Sequence, residues 1–281
     1  MRAFRVAYDG TGYYGFQRQP DVPTVEGTVF DALRELGVLE PEAAKPAGYA
    51  AAGRTDAGVS ALAQTVAFEA PDWLSPRALN AELPADVQAW ASADAPTDFH
   101  ATHGATERTY VYHLYAPAAG ARELAANDGD PPVEDGCVAD ACDALAGTHD
   151  YADLTPDDRN TRRTVALDAE RDGDFLVLTV RAGGFPRQLV RRLVSLVRAV
   201  GATEVPLQRI DRTLAPEPLP DHERAAPAPS EPLVLADVTY PDIEFSVDEE
   251  AAASARAVFE RRRVERLAGA RVSRQLRDGI R

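Results

Sequence analysis

The sequence predicts a mixed α/β fold made of two similar halves. Its 281 residues, 45% of them hydrophobic, suffice for a sizeable core in one large domain or two ordinary ones. Segments that alternate apolar and polar residues, as strands do, are interleaved with segments of helical period. This order runs through residues 1–105 and begins again through residues 106–245. We assign these ranges to the two halves, and residues 246–281 to a C-terminal helical tail.

The first half is predicted to form a strand, a helix, a strand, a helix and a strand. Thr24 is a favoured N-cap and Gly37 a favoured stop for the first helix, and Ser75-Pro76 is a typical start for the second. The predicted ranges are, in order, 4–8, 24–37, 62–68, 75–83 and 87–91.

The second half begins with a strand at residues 108–115, on which Tyr110, Tyr112 and Leu114 share one face. An acidic loop at residues 127–135 is expected to be a solvated excursion. The remaining predicted elements are a helix ending at Gly147, a hairpin of 164–171 and 175–181, a helix opened by 183–186, a short helix within 206–214, a proline-rich loop at 216–232 and a strand at 233–240.

The helix that follows residue 186 has the clearest period in the chain. Its apolar residues form one stripe, at the spacing of an amphipathic helix. They are Leu189, Val190, Leu193, Leu196, Val197 and Val200. We expect Gly201 to cap the end of this helix. Arg187, Arg191 and Arg198 fall together on the opposite, polar face.

The charge of the chain is unusual. Acidic residues number 45 against 30 basic ones, for a net charge of −15, and Lys45 is the single lysine. An acidic chain nearly free of lysine suits a protein kept soluble in concentrated salt, which predicts a halophilic source. Nucleic acids usually meet a basic surface. Since the Debye length is only about 3 Å at 1 M salt, the net charge does not exclude an RNA partner.

No targeting or metal-binding signal is visible in the sequence. No run of 18 apolar residues exists, and the N-terminus lacks the apolar core of a signal peptide, so we expect a cytoplasmic protein. The five histidines show no recognised zinc spacing, and Cys137 and Cys142 point in different directions on one helix. We therefore predict no metal site.

Residues 52–61 place one carboxylate, Asp56, in a turn of small residues. Gly53 and Gly58 bracket the acid, and Arg54 lies close enough to pair with it if the turn curls back. A tight turn that carries both charges is a plausible seat for a reactive acid. Aspartate is also a common turn residue, so spacing alone favours a purely structural role.

Several motifs together resemble the tRNA pseudouridine synthases of the TruA type. The resemblance runs from about Phe4 to Tyr240, and residues 53–59 are its most specific part. The matching segments are 9–11, 14–19, 53–59, 98–101, 108–112, 189–191 and 226–240, in the order that the family has them. The resemblance identifies Asp56 with the family's catalytic position, which reverses the structural interpretation of that residue.

The resemblance implies an isomerase that converts uridine to pseudouridine at positions 38, 39 and 40 of the tRNA anticodon stem-loop, without cofactor or metal. It also implies two similar halves that share one continuous, mainly antiparallel sheet with helices behind it. An active-site cleft would lie between the halves, and two chains would form a homodimer in which one tRNA touches both subunits. A carboxylate suits the reaction because it can act as nucleophile or base and then leave.

The resemblance assigns roles to residues outside the Asp56 turn. Arg191 matches the family's active-site arginine, which orients the acid. Tyr110 matches the active-site tyrosine, and its ring would stack on a uracil taken out of the helix. Arg54 would position the flipped nucleotide or its phosphate. Further candidates for RNA contact lie in the early aromatic loop: Gln17, Arg18 and Gln19.

Two positions depart from the family pattern at sites of RNA contact. Ser60 stands where the family usually has histidine, and Thr102 stands where it has arginine. Ser195 replaces a common helix glycine and Pro186 replaces an apolar residue, and neither of these two changes removes a catalytic group. The tail from Arg256 onward lies outside the matched region and carries nine arginines against three acidic residues. An RNA contact, a dimer contact and a solvated helix all remain open for it.

Two other functions fit parts of the sequence. Two mixed halves with exposed aromatic residues could bind RNA without catalysis, but such a module would not require Asp56 and Arg54 in one turn. Tyr8-Asp9-Gly10-Thr11 after a strand suggests a phosphatase of the haloacid dehalogenase type. That motif needs an aspartate where Ala7 stands, so we expect Asp9 to shape a turn beside the cleft instead.

Overall fold

The computed structural model describes residues 1–117 and 131–280, and residues 127–130 of the predicted acidic loop lie outside this part. Ten strands join in one sheet within it. They are β1 (Arg2–Tyr8), β2 (Ala50–Ala51), β3 (Ser60–Phe68), β4 (Val87–Asp94), β5 (Glu107–Tyr115), β6 (Gly147–Asp150), β7 (Arg162–Asp172), β8 (Phe175–Ala182), β9 (Leu233–Thr239) and β10 (Ser246–Val247).

The described residues also form six α-helices. They are α1 (Val25–Glu35), α2 (Pro76–Asn80), α3 (Asp135–Leu145), α4 (Leu189–Gly201), α5 (Gln208–Thr213) and α6 (Glu249–Gly279). Thr24 caps α1 through its hydroxyl, and Gly37 takes φ +67° just after α1 ends. Both positions follow the prediction, because they depend on local backbone chemistry.

The sheet joins the two halves of the chain. Its strand order is β10-β4-β1-β3-β9-β5-β8-β7-β6, with β2 paired to β3. Only β3 and β9 pair in parallel among the described strands, through Ser60–Val234 and Ala61–Leu235, and every other pairing is antiparallel. The predicted mixed α/β class with a mainly antiparallel sheet is confirmed. The residues that follow Asp56 thus lie at the junction of the halves.

Two expectations about individual elements are wrong, and three short strands were missed. The second helix ends at Asn80 and not at Leu83. Gly201 is the last residue of α4 rather than its cap. A Cβ added there would approach Val133 Cγ1 and Val138 Cγ2 to 2.6 Å, so the missing side chain permits α4 to pack on α3. Strands β2, β6 and β10 were not predicted, since two to four residues are too few for a period.

The long helix α6 rests on the first half of the chain. Asp248 caps it, and Ala251, Ala252, Ala255 and Val258 are buried. Small side chains let the helix backbone approach the sheet closely, and α6 packs beside β4 and α2. Beyond Arg262 every described residue of the helix is exposed.

Candidate active site

A cleft of about 760 Å³ opens between residues of the two halves. From the first half it is lined by the Asp56 turn and by the loop that follows β1. From the second half it is lined by Tyr110 and by the segment that leads into α4. The lining residues that bear on function are Gln17, Gln19, Arg54, Asp56, Tyr110 and Arg191.

The Asp56 turn is held in place by the loop that follows β1. Phe16 donates its backbone N–H to the Thr55 carbonyl at 3.0 Å, and the Thr55 hydroxyl meets the Tyr8 hydroxyl at 2.8 Å. Gly10 lies so close to the turn that an added Cβ would come within 2.0 Å of the Val59 carbonyl oxygen. The carboxylate is therefore presented by a braced turn, as a preorganised site requires.

Asp56 forms an ion pair with Arg191. The Arg191 Nη1 donates to Asp56 Oδ2 at 3.0 Å, and its Nε donates to the Ala228 carbonyl at 2.6 Å. The arginine side chain is only 16% exposed and the carboxylate 35%. Arg191 is thus a largely buried residue fixed by two partners rather than a solvated charge on the polar face of α4.

Arg54 does not pair with Asp56. It lines the cleft with an exposed side chain, and within the described residues it forms no ion pair or hydrogen bond. The turn extends the two side chains apart, and Asp56 is reached by an arginine 135 residues further along the chain. The expectation that the turn itself supplies the pair is wrong.

Tyr110 forms an apolar wall of the cleft with Phe185. The two rings meet edge to face with centroids 5.3 Å apart. Burial raises the pKa of Tyr110 to about 12, so its hydroxyl is neutral at physiological pH. Tyr112, two residues on, is fully buried and donates its hydroxyl to the Pro229 carbonyl at 3.1 Å. Of these two tyrosines of β5, Tyr110 therefore lines the cleft and Tyr112 belongs to the core.

The early loop contributes two of its three candidate residues to the cleft. Gln17 and Gln19 line it, and Gln19 donates to the Tyr14 carbonyl at 2.9 Å. Arg18 is exposed but is not among the lining residues. Its guanidinium lies 5.8 Å from the centre of the ring of Phe30, a residue of α1.

Arg108 is a residue of the site that sequence reasoning missed. Its buried guanidinium donates to the carbonyls of Ala52, Thr102 and Gly183, which belong to three segments around the cleft. Burial lowers the pKa of this arginine. One signal was available: Arg108 shares the core-facing side of β5 with Tyr110 and Tyr112, where a charge needs partners.

The two departures from the family pattern have local partners. The Thr102 hydroxyl donates to the Ala51 carbonyl at 2.5 Å, and Thr102 lines the cleft. The Ser60 hydroxyl accepts the Gly10 backbone N–H at 3.1 Å. Ser60 therefore helps to brace the Asp56 turn against the loop after β1.

Neither a metal centre nor a membrane span is found in the described part of the chain. Residues 1–117 and 131–280 hold no group of three or more His, Cys, Asp or Glu side chains that suits a metal ion. No helix in these ranges is long and apolar enough to cross a membrane.

The cleft offers a carboxylate fixed by an arginine beside an aromatic wall, and this arrangement suits chemistry on a flat ring.

Comparison with known proteins finds close relatives. A family model described as tRNA pseudouridine synthase matches residues 141–241. A protein of Haloarcula marismortui named tRNA pseudouridine synthase A is 60% identical over 280 residues, covering 100% of both chains. Proteins of the same name from Natronomonas pharaonis and Halobacterium salinarum are 57% and 53% identical and cover 97% and 98% of both chains. These organisms are halophilic archaea, as the composition predicted.

The chain also resembles solved structures weakly. One of them is titled as a Cbf5-Nop10-Gar1 complex and has a TM-score of 0.32 at 14% identity. The match covers 71% of this chain and 54% of that one. A likeness of this size supports no statement about function.

Proposed function

The chain belongs to the tRNA pseudouridine synthase family, a family of isomerases, and from this membership we propose the reaction and the residues that carry it. The chain converts uridine to pseudouridine at positions 38, 39 and 40 of the tRNA anticodon stem-loop. Asp56 is its catalytic carboxylate, acting as nucleophile or base. The three positions are those that the motif resemblance implies. A tRNA substrate also implies a cytoplasmic place of action.

The reaction requires one bond to break and another to form at the same sugar carbon. The bond from C1′ of the ribose to N1 of uracil breaks, the ring turns, and C1′ joins C5. The proton on C5 is then lost and N1 gains one, so the product is an isomer of the substrate. An active site for this reaction needs a carboxylate near C1′ and C5 and a surface that holds the detached ring.

The observation that carries the proposal is the Asp56–Arg191 ion pair at 3.0 Å inside the cleft. The guanidinium orients the carboxylate. Its second hydrogen bond, to the Ala228 carbonyl, keeps the guanidinium in place when the carboxylate moves. This geometry supports a carboxylate that is held in one orientation toward the substrate. Arg191 is also a positive charge that can offset the negative charge on a departing uracil.

The other candidate residues supply the binding surface. The wall of Tyr110 and Phe185 offers a flat partner to a uracil removed from the RNA stack. Arg54 is exposed and has no protein partner among the described residues, so its guanidinium is available to a phosphate. Gln17 and Gln19 contact the RNA at the rim of the cleft, and Arg18 does so from outside it. The active form is a homodimer in which one tRNA touches both subunits.

The proposal is tested by Asp56→Ala and Asp56→Asn. Both variants should lose pseudouridine formation in tRNA while they keep tRNA affinity within about threefold, because the change removes one reacting group from a large binding surface. Formation is measured by mapping pseudouridine in tRNA incubated with and without the protein. Activity of Asp56→Ala above about 1% of wild type would refute the role of Asp56.

Asp168→Asn is a matched control for the loss of a paired carboxylate. Asp168 pairs with Arg181 at 2.9 Å on the hairpin of β7 and β8, and neither residue lines the cleft. This variant should keep wild-type activity. Pseudouridine at positions other than 38–40 would leave the enzyme class intact and refute the proposed substrate positions.

A further inference from the structure

The exposed length of α6 carries a row of arginines in an otherwise acidic protein. Residues 256–281 hold nine arginines and three acidic residues, a net charge of +6, so the remainder of the chain carries −21. At about 100° per residue, five of the arginines fall within an arc of roughly 120° on the helix. We call them the arginine stripe: Arg256, Arg263, Arg271, Arg274 and Arg277.

Contacts at the middle of α6 fix its position beside the loop that follows β1. Arg266 pairs with Asp9, and Arg262 pairs with Asp9 at 3.6 Å and with Asp86 at 3.5 Å. The Asp9 carboxylate is buried and also accepts from Thr11. Burial raises the pKa of Asp9, but the hydrogen bonds from Thr11 and Arg266 together lower it by more. The pKa of this carboxyl is therefore below its usual value.

This anchor lies close to the rim of the cleft. The Arg266 Nη2 is 3.4 Å from the Thr11 hydroxyl, and Tyr14 on the rim follows three residues later. Three residues span at most about 11 Å of extended chain. The stripe therefore passes beside the rim, with the anchor between its first and last arginines, and it spans roughly 30 Å of helix axis.

The arginines of the stripe have weak partners that a ligand can replace. Arg263 pairs with Glu260 and Arg274 with Asp278, both within the helix and both exposed. Arg271 forms no ion pair among the described residues. Exposed pairs within one helix contribute little to stability. The guanidinium groups can therefore exchange these carboxylates for phosphate oxygens, which they bind with two parallel hydrogen bonds.

We infer that the arginine stripe of α6 binds the phosphate backbone of the substrate RNA beside the cleft. The inference rests on the proposed function for its partner, because RNA is the polyanion that this cleft would receive. Charge complementarity favours RNA, since the stripe is positive while the rest of the chain is strongly negative. In concentrated salt the attraction acts only at contact, which suits a helix laid directly along the backbone.

The competing occupant is a second copy of this chain. Val264, Val272 and Leu276 are each more than half exposed on α6. By helical phase Val272 and Leu276 lie on the side of the helix opposite the stripe, and Val264 lies beside the edge of the stripe at Arg271. A helix that pairs with its copy would use these apolar residues, whereas RNA binding would use the stripe. The two occupants therefore depend on different residues.

The test compares three triple variants with the wild type. The first changes Arg263, Arg271 and Arg274 to Gln, and the second changes the same residues to Lys. The third is the apolar control, with Val264, Val272 and Leu276 changed to Ser. All six changed positions are exposed, so circular dichroism and thermal melts should match the wild type. The measurement is tRNA affinity over the range of salt in which the chain is folded.

The Gln variant should bind tRNA at least about tenfold more weakly at a fixed salt concentration. Its slope of log affinity against log salt should fall by about 2 to 3, since each lost phosphate contact removes a little under one unit. The Lys variant should keep most of that slope. The apolar control should bind as the wild type does.

Three outcomes would overturn the inference. One is a Gln variant that binds within twofold of wild type with an unchanged salt slope. The second is an apolar control that changes the sedimentation mass while the Gln variant has no effect on tRNA affinity, which would assign the helix to contact between copies. The third is a Lys variant whose salt slope falls as far as that of the Gln variant.

Failure of this inference is distinguishable from failure of the proposed function. Asp56→Ala keeps the stripe and should retain the wild-type salt slope. If the wild type binds tRNA and forms no pseudouridine, the proposed function fails, whatever the stripe does. If the wild type is active and the Gln variant binds equally well, only the stripe fails.

Discussion

Removal of the Arg191 guanidinium tests how much the fixed ion pair contributes to turnover. In Arg191→Ala the Asp56 carboxylate loses the group that orients it, since Arg54 does not reach it. The fold should survive because α4 keeps its buried apolar face and the Ala228 N–H still donates to the backbone carbonyl of residue 191. The expected result is a lower kcat with little change in tRNA affinity.

The magnitude follows from the contacts of Arg191. A hydrogen bond to a charged group contributes about 1.5–3 kcal/mol. If the bond to Asp56 acts in the transition state and not in tRNA binding, its loss reduces kcat by roughly 10- to 150-fold, at about 1.4 kcal/mol per factor of ten. The lost bond to the Ala228 carbonyl should lower the free energy of unfolding by about 1 kcal/mol.

The assay separates chemistry from binding. Single-turnover rates at saturating protein report the chemical step, and filter binding of the same tRNA reports Kd. Arg191→Lys is the matched comparison, because an ammonium keeps the charge but lacks the planar fork that reaches two partners at once. We expect its rate to lie between those of Ala and wild type.

Two results would refute this reasoning. A single-turnover rate within threefold of wild type for Arg191→Ala would show that the pair does not orient the acid. A rise in Kd of tenfold or more at an unchanged rate would make Arg191 an RNA contact instead.

Three further predictions concern stability. Arg108→Met leaves the buried Ala52 carbonyl and the part-buried carbonyls of Thr102 and Gly183 without this donor. It also removes a buried charge, so urea denaturation should show a loss of about 3 kcal/mol in the free energy of unfolding, and a loss under about 1 kcal/mol would contradict the clamp. The pKa of Tyr110 is raised to about 12, so between pH 10 and 12 the folded chain keeps this proton while the unfolded chain loses it, and the free energy of unfolding falls as the pH rises. Over this range Tyr110→Phe should lose about 1.4 kcal/mol less of that free energy per pH unit than the wild type, and equal slopes would contradict the shift. Gly201→Ala should lower the free energy of unfolding by about 1–3 kcal/mol, because the added methyl group contacts Val133 and Val138. Gly136→Ala has open space around its Cβ position and should not destabilise the protein, so equal effects of the two changes would contradict the packing.

Much of the secondary structure was predictable because its causes are local. The cap at Thr24, the positive φ of Gly37 and the Gly173 turn between β7 and β8 depend on neighbouring backbone groups. The apolar stripe of α4 is buried as its period predicted. The short strands and the end of α2 were not, since a period cannot be recognised in so few residues.

The motifs predicted which residues meet in the cleft more reliably than spacing did. Spacing allowed Arg54 to pair with Asp56, whereas the family motif selected Arg191, and Arg191 holds the ion pair. Neither approach singled out Arg108, because its place on the core-facing side of β5 shows that it needs partners but not which groups they are. Its three carbonyl partners come from segments up to 75 residues away.

By itself, the sequence determined the mixed α/β class, the order of the main elements, the halophilic character and the family, through local propensity, charge and motif. Only the tertiary structure decided which arginine meets Asp56, which tyrosine of β5 faces the cleft and where α6 rests. These outcomes depend on the junction of β3 with β9 and on side chains that approach from distant segments. Contacts of that kind are set by packing in three dimensions, which no short stretch of sequence encodes.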